Sequence, residues 1–225
     1  MRAILVVDMQ EDFCPPNGSL AVEDGREITA LINSLLPLFP VRLATQDWHP
    51  TDHVSFASNH AGKEPFVDFT TIINPENPEE KIETRLWPDH CVQGSPGAAL
   101  IPELDTSLIQ DYVKKGTHPQ CETYSAFCSP FRKPRGFGDT GLARKLRDQG
   151  VDEVWVVGLA ADYCVQSTAV DAAKEGFPTF IIEEGTKAVD PSEWEATGRM
   201  AVVEAGVKVV SIEGEEVKSI GWKQD

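Results

Sequence analysis

Val154-Trp155-Val156-Val157-Gly158-Leu159-Ala160-Ala161-Asp162-Tyr163-Cys164-Val165-Gln166-Ser167-Thr168 decides how this chain is read. An apolar run of strand length enters a turn of small residues, and the turn opens a helical pattern. Strand, tight turn and helix in that order make half of a parallel βαβ unit. The turn also presents a thiol, Cys164, at a helix N-terminus, where unpaired backbone N–H groups and the helix dipole favour a thiolate.

Working outward, the same alternation recurs. Ala3–Val7 reads as a buried strand, and Ile28, Leu31, Ile32, Leu35 and Leu36 repeat with helical spacing up to Pro37. Val41–Thr45, Leu108–Lys114, Val154–Val157, Thr179–Ile182 and Val207–Ile212 complete six strands. Thr140–Gln149 and Tyr163–Glu175 are helices ended by Gly150 and Gly176. A last helix is capped by Ser192, with Glu195 in the capping-box position, and ends at Gly206. The fold class expected is α/β, a three-layer α/β/α arrangement around a six-stranded, mainly parallel sheet. No repeat or linker interrupts residues 1–225, so one domain is expected, with its core over about 3–212 and a loop insert at 58–83. The tail after Gly214 is polar and reads as peripheral.

The bulk numbers narrow the function. The 225 residues are 41% apolar and 25% charged, an ordinary globular balance. A net charge of −16 argues against nucleic-acid binding, which needs Lys/Arg clusters. Arg132, Lys133 and Arg135 form only a short basic spot, read as a solvated loop. No apolar run reaches membrane-span length, and Ala3–Val7 is too short to be a secretory signal. Five cysteines, an odd number without a Cys-x-x-Cys pair, fit a reduced compartment. The cytosol is the default, with nucleus and peroxisome left open. A homo-oligomer is also left open.

In parallel sheets, sites gather beyond the carboxyl ends of the strands. Asp8 follows the first strand, Asp47 the second, Lys115 the third and Cys164 the fourth. A thiolate attacks carbonyl carbon, a nearby carboxylate carries the proton, and a lysine beside both steadies the anions. Cys164, Asp8 and Lys115 supply those parts, and the N–H groups of Ala160 and Cys164 could receive an oxyanion. Each alone has a plainer reading: an inert buried thiol, a turn carboxylate, a surface lysine. Lys114 competes with Lys115, since neighbours on a strand face opposite ways; Gly116 places Lys115 at the strand's end and favours it.

Asp47-Trp48-His49 sets a carboxylate and an imidazole on one side of extended backbone. His90, in Trp87-Pro88-Asp89-His90-Cys91, completes a two-histidine, one-carboxylate set suited to a divalent metal with open positions. His53 is a candidate further ligand or supporting partner. His60 and His118 read as loop histidines. Phe13, Trp48, Trp87 and Tyr124 would give aromatic walls for a flat ring.

Five stretches together carry a resemblance. They are Val7-Asp8-Met9-Gln10-Glu11-Asp12-Phe13, Thr45-Gln46-Asp47-Trp48-His49-Pro50, Trp87-Pro88-Asp89-His90-Cys91-Val92, Lys115-Gly116-Thr117 with Tyr124-Ser125-Ala126-Phe127, and Gly158-Leu159-Ala160-Ala161-Asp162-Tyr163-Cys164-Val165. In this order the chain resembles the nicotinamidase/pyrazinamidase branch of the isochorismatase-like cysteine hydrolases over about residues 3–212. The resemblance implies deamidation of nicotinamide to nicotinate and ammonia, and with it NAD salvage. It implies Asp8 as base, Lys115 as its partner and Cys164 as nucleophile. Asp47, His49 and His90 would hold one divalent metal that orients the ring through its nitrogen: zinc first, with iron or manganese as alternatives. His53 is a ligand in some relatives and not in others. Phe13, Trp87 and Tyr124 would line the ring, and a cis peptide is implied at Leu159–Ala160. Two rivals stand beside this reading: a relative acting on another small substrate, and a non-catalytic metal-binding or redox-sensing protein.

Overall fold

A computed structural model describes residues 1–131 and 138–223. Arg132, Lys133 and Arg135, the basic spot of the sequence, lie outside the described residues. The described residues form eight strands: β1 Arg2–Val7, β2 Val41–Asp47, β3 Phe69–Asn74, β4 Asn77–Arg85, β5 Asp111–Lys115, β6 Glu153–Leu159, β7 Thr179–Lys187 and β8 Lys208–Val210. Six of them form one sheet in the order β5-β2-β1-β6-β7-β8, and every pairing in it is parallel. The expected three-layer α/β class is therefore the one observed.

The central strands are apolar throughout because both faces are covered. On β1, Ile4 and Val6 join one core, while Ala3, Leu5 and Val7 join the other. Trp155 and Val157 on β6 face the first core, Val154 and Val156 the second. The first layer holds α1, Thr29–Leu35, through Ile32 and Leu35. The second holds α2, Leu142–Asp148, and α3, Gln166–Lys174, through Leu142, Leu146, Ala169 and Ala172. None of these helices, nor any other among the described residues, is long and apolar enough to cross a membrane.

Three expectations need correction. The insert at 58–83 is not all loop: β3 and β4 pair as an antiparallel ribbon, Ile72 opposite Ile82. One face of the ribbon is exposed and carries Phe69 and Ile73, while the other buries Ile72 and Asn74, so apolar residues fall on both faces and no clean alternation reveals it. The cap of the fourth helix, α4 Pro191–Glu193, is Asp190, whose carboxylate accepts from the Ser192 and Glu193 amides; Ser192 sits inside the first turn. This helix continues through a π-helical stretch, Trp194–Gly198, into α5, Arg199–Glu204. The tail is not peripheral either, since α6, Glu215–Ser219, buries Val217, and Ile220 follows it into the core.

The strand order reverses between β1 and β6, which is where such sheets bind ligands. The two strands meet closely there: Val7 lies opposite Gly158, and a Cβ on Gly158 would stand 2.1 Å from the Val7 carbonyl oxygen. Gly158 also has φ +112°, so glycine meets both the spacing and the backbone angle. This contact sets Asp8 and Cys164 side by side.

Candidate active site

The end of each strand delivers one group. Asp8 follows β1 with φ +47°, an uncommon left-handed angle for a non-glycine residue. Its carboxylate accepts a hydrogen bond from Thr45 Oγ1 at 2.6 Å, and its amide donates back to the same hydroxyl at 3.2 Å. Asp47 and Lys115 are the last residues of β2 and β5 and lie opposite each other in the sheet. Cys164 sits in a π-helical turn, Ala161–Val165, between β6 and α3.

Lys115 brings these groups together. Its ammonium is 2.9 Å from Asp8 Oδ2 and 2.5 Å from Asp47 Oδ1, and it reaches the Cys164 sulfur at 3.2 Å. Oxygens of Asp8 and Asp47 and the sulfur all lie within 4.8 Å of one another. Asp8, Asp47, Lys115 and Cys164 are all buried. Lys114, the competing lysine, is exposed and rests its ammonium 3.4 Å from the centre of the Trp48 ring. Trp48 itself is half-buried and packs against the core cluster that holds Phe13 and Trp87.

Burial decides the protonation states. It pushes the Cys164 thiol well above its usual range; Lys115 pulls the other way, while Asp47 and Asp8 add to the rise. Burial therefore works against the helix-terminus thiolate expected from sequence. Burial likewise raises the Asp8 carboxyl against the pull of Lys115. For Asp47 burial is outweighed by Lys115, His49 and His90, which hold its carboxyl below the usual range. The two carboxyls are thus pushed in opposite directions.

The turn ahead of Cys164 is set by its backbone. The peptide Leu159–Ala160 is cis, as the sequence resemblance implies. The Ala160 carbonyl accepts from the Tyr163 and Val165 amides at 3.1 and 3.0 Å, and the Cys164 amide lies between that pair.

His49, His90 and Asp47 form a second group, with ligand atoms within 4.8 Å of one another. His49 Nδ1 faces the Gly116 carbonyl at 2.8 Å, and His90 Nδ1 faces the Pro88 carbonyl at 2.8 Å. A carbonyl only accepts, so both rings carry a proton on Nδ1, which leaves Nε2 as the atom each ring can offer a cation. Those atoms sit 3.6 and 4.0 Å from Asp47 Oδ2, and the buried His49 Nε2 has no hydrogen-bond partner. Two imidazole Nε2 atoms and a carboxylate oxygen converging at this spacing, with the buried His49 Nε2 unpartnered, fit a divalent cation. Gly116 makes this possible: at φ +64°, it leaves room where a Cβ would stand 2.3 Å from His49 Cε1.

His53 stays outside this group. Its ring lies against His49 with centroids 4.1 Å apart, and its nitrogens face Ser55 Oγ at 2.8 Å and the Cys121 carbonyl at 3.2 Å. His60 is a loop histidine as expected, its Nε2 2.7 Å from the Val54 carbonyl.

Phe13 and Trp87 share one core cluster, and Tyr124 is tied to Trp87. Phe13 lies 5.4 Å from the His90 ring, and Trp87 Nε1 donates to the Tyr124 hydroxyl at 2.9 Å. Tyr163, beside Cys164, meets Trp87 edge-on at 4.9 Å and escaped the sequence reading. So did Gln10 and Thr45. Gln10 ties the β1 loop to the Asp47 main chain, accepting from its amide at 2.8 Å and donating to its carbonyl at 2.9 Å. Thr45 stands two residues before Asp47 on one side of β2, a spacing that could have exposed it. Glu122, buried beside His49 and His53, gave no signal in sequence.

Comparison with known proteins agrees with this geometry. The family model described as an isochorismatase domain matches residues 2–214. A nicotinamidase of Acinetobacter baylyi is 44% identical over 188 residues, covering 84% of this chain and 82% of the relative. The crystal structure of yeast nicotinamidase bound to the inhibitor nicotinaldehyde superposes with a TM-score of 0.86 at 33% identity, covering 94% of this chain and 100% of that one. A pyrazinamidase of Pyrococcus horikoshii in complex with zinc gives a TM-score of 0.70 at 32% identity, covering 93% and 98%.

Proposed function

The chain belongs to the isochorismatase family, and from that premise we propose that it is a nicotinamidase, hydrolysing nicotinamide to nicotinate and ammonia in NAD salvage. The observation that carries the reading is the Lys115 ammonium, shared by Asp8, Asp47 and the Cys164 sulfur in one buried cluster. We read residues 1–225 as one domain, since both cores flank a single sheet.

The chemistry follows from the two carboxylates' different environments. Asp8 takes the proton from the Cys164 thiol as sulfur adds to the carboxamide carbon. Negative charge moves to the carbonyl oxygen, and the N–H groups of Ala160 and Cys164 receive it. Asp8 then returns the proton to nitrogen, the C–N bond breaks, ammonia leaves and a thioester remains. A water molecule gives Asp8 a proton and adds to the thioester carbon. The C–S bond breaks, nicotinate forms and the sulfur recovers its proton. Lys115 keeps Asp8 in place and balances the charge as it shifts.

Asp47, His49 and His90 would hold one divalent ion, with zinc first and iron or manganese as alternatives. When bound it supplies a cationic centre for the ring nitrogen, which fixes the ring's orientation. Phe13, Trp87 and Tyr124 would grip the ring faces. Small-molecule amides are the substrate class.

The test is ammonia release from nicotinamide by the purified, metal-loaded protein. Turnover that disappears in Cys164→Ala supports the reading. Ammonia release from an N-carbamoyl compound but not from nicotinamide would move the chain to another branch, and no release from either would make it a binding protein.

A further inference from the structure

Glu122 is a buried carboxylate that the proposed chemistry does not use. Its Oε1 accepts from the Thr123 amide at 2.8 Å, while Oε2 is buried with no hydrogen-bond partner. Such a group is costly to bury unless something nearby rewards its charge. Its neighbours are two imidazoles: Glu122, His49 and His53 place ligand atoms within 4.8 Å of one another.

A second metal ion in that triangle does not fit the hydrogen bonds. Both nitrogens of His53 face protein partners, and His49 Nδ1 faces the Gly116 carbonyl. The one ring nitrogen left over is His49 Nε2, which points to Asp47. Charge leads elsewhere. Asp8, Asp47 and Glu122 are buried carboxylates around one end of the sheet, and Lys115 is the one buried lysine or arginine among the described residues. Lys115 pairs with Asp8 and Asp47, so the groups nearest the Glu122 carboxylate are the His49 and His53 rings, and through His49 it adjoins the Asp47, His49 and His90 group.

We propose that Glu122 is a positioning residue for the divalent ion: its charge, held behind the His49 and His53 rings, strengthens the hold of Asp47, His49 and His90 on a dication without touching it. This rests on the reading of those three residues as the metal group. The effect passes through a dry wall of imidazole rings, where Coulomb interactions are screened far less than at the surface. Supporting residues of this kind alter metal affinity by about 10–100-fold.

The test is the affinity for Zn²⁺, measured by competition with a chromogenic chelator at fixed pH and ionic strength. Glu122→Gln should weaken binding by about 10–100-fold, Glu122→Asp should restore part of it, and kcat at saturating zinc should stay within a few-fold of wild type. Asp47→Asn is the control for the parent reading and should abolish tight binding. Loss in Asp47→Asn with unchanged affinity in Glu122→Gln overturns the role of Glu122 alone. Unchanged affinity in Asp47→Asn overturns the metal group itself. Circular dichroism checks folding; where Glu122→Gln does not fold, Glu122→Ala, which leaves room for water, takes its place and wild-type affinity there is equally fatal. A fall in kcat at saturating zinc with affinity intact would show a structural role and overturn the proposal.

Discussion

The Lys115 ammonium donates to the Cys164 sulfur at 3.2 Å while pairing with Asp8 at 2.9 Å. One cation therefore spans the proposed nucleophile and its base. It lowers the cost of ionising either, and it fixes their separation.

Removing that cation should be severe. Lys115→Met leaves Asp8 and Asp47 as neighbouring buried carboxylates, and unpairing a buried charge costs about 3–5 kcal/mol. Ammonia release should fall by at least about 10²–10³-fold, the usual loss on deleting one electrostatic stabiliser. Lys115→Arg should not rescue it, because a planar guanidinium does not fit a point-charge position among three acceptors. Activity of Lys115→Arg within ten-fold of wild type would refute this account.

Cys164→Ala should end turnover yet leave metal content and melting temperature close to wild type. The sulfur makes no ligand contact in the Asp47, His49 and His90 group, and Ala fits the turn. Residual turnover above about one part in a thousand would argue against a covalent step. Mass spectrometry of wild-type enzyme quenched during turnover should show a thioester adduct on the peptide carrying Cys164.

Stripping the metal should lower thermal stability as well as activity. An ion that binds the folded chain stabilises it by mass action, and its removal restores repulsion among the buried carboxylates. Differential scanning fluorimetry with and without a chelator should show the melting point fall, with recovery on adding Zn²⁺. Identical melting curves would speak against a cation in this cluster.

Gly158→Ala tests the meeting of β1 and β6. The new Cβ would stand 2.1 Å from the Val7 carbonyl oxygen, and main chain in mid-sheet has nowhere to move. Destabilisation of several kcal/mol is expected, roughly the far tail of single substitutions. Soluble Gly158→Ala protein with a wild-type melting point would show that the strands can part without harm.

How much of this was legible beforehand follows from where each signal lies. β1 and β6 announced themselves because both faces of a central parallel strand are buried. Asp8, Asp47, Lys115 and Cys164 were legible because strand ends converge in such a sheet. The β3–β4 ribbon was not, since its buried face rests on little more than Ile72 and Ile82 while Phe69 and Ile73 lie exposed on the other. Glu122 was invisible because its environment comes from His49 and His53, which are remote in sequence. The upward push on the Cys164 thiol comes from burial, which a strand-turn-helix pattern does not report.

Cys14 provides a prediction away from the chemistry. Its thiol is buried in the first core, and burial pushes it up to about 11, with Glu11 and Glu103 adding to the rise and Arg26 opposing it. In the unfolded chain a cysteine ionises near ~8.5. Between those values the unfolded state releases a proton that the folded state keeps, so raising the pH favours unfolding. The stability that Cys14 contributes is intact below about pH 8 and is lost progressively as pH rises toward 11. Urea unfolding at pH 8 and pH 10.5 should show wild type losing on the order of 1–3 kcal/mol more than Cys14→Ala over that interval. The comparison of intervals cancels the constant cost of the cavity that alanine leaves. Equal losses in the two proteins would mean that the Cys14 thiol ionises as readily inside the core as outside it.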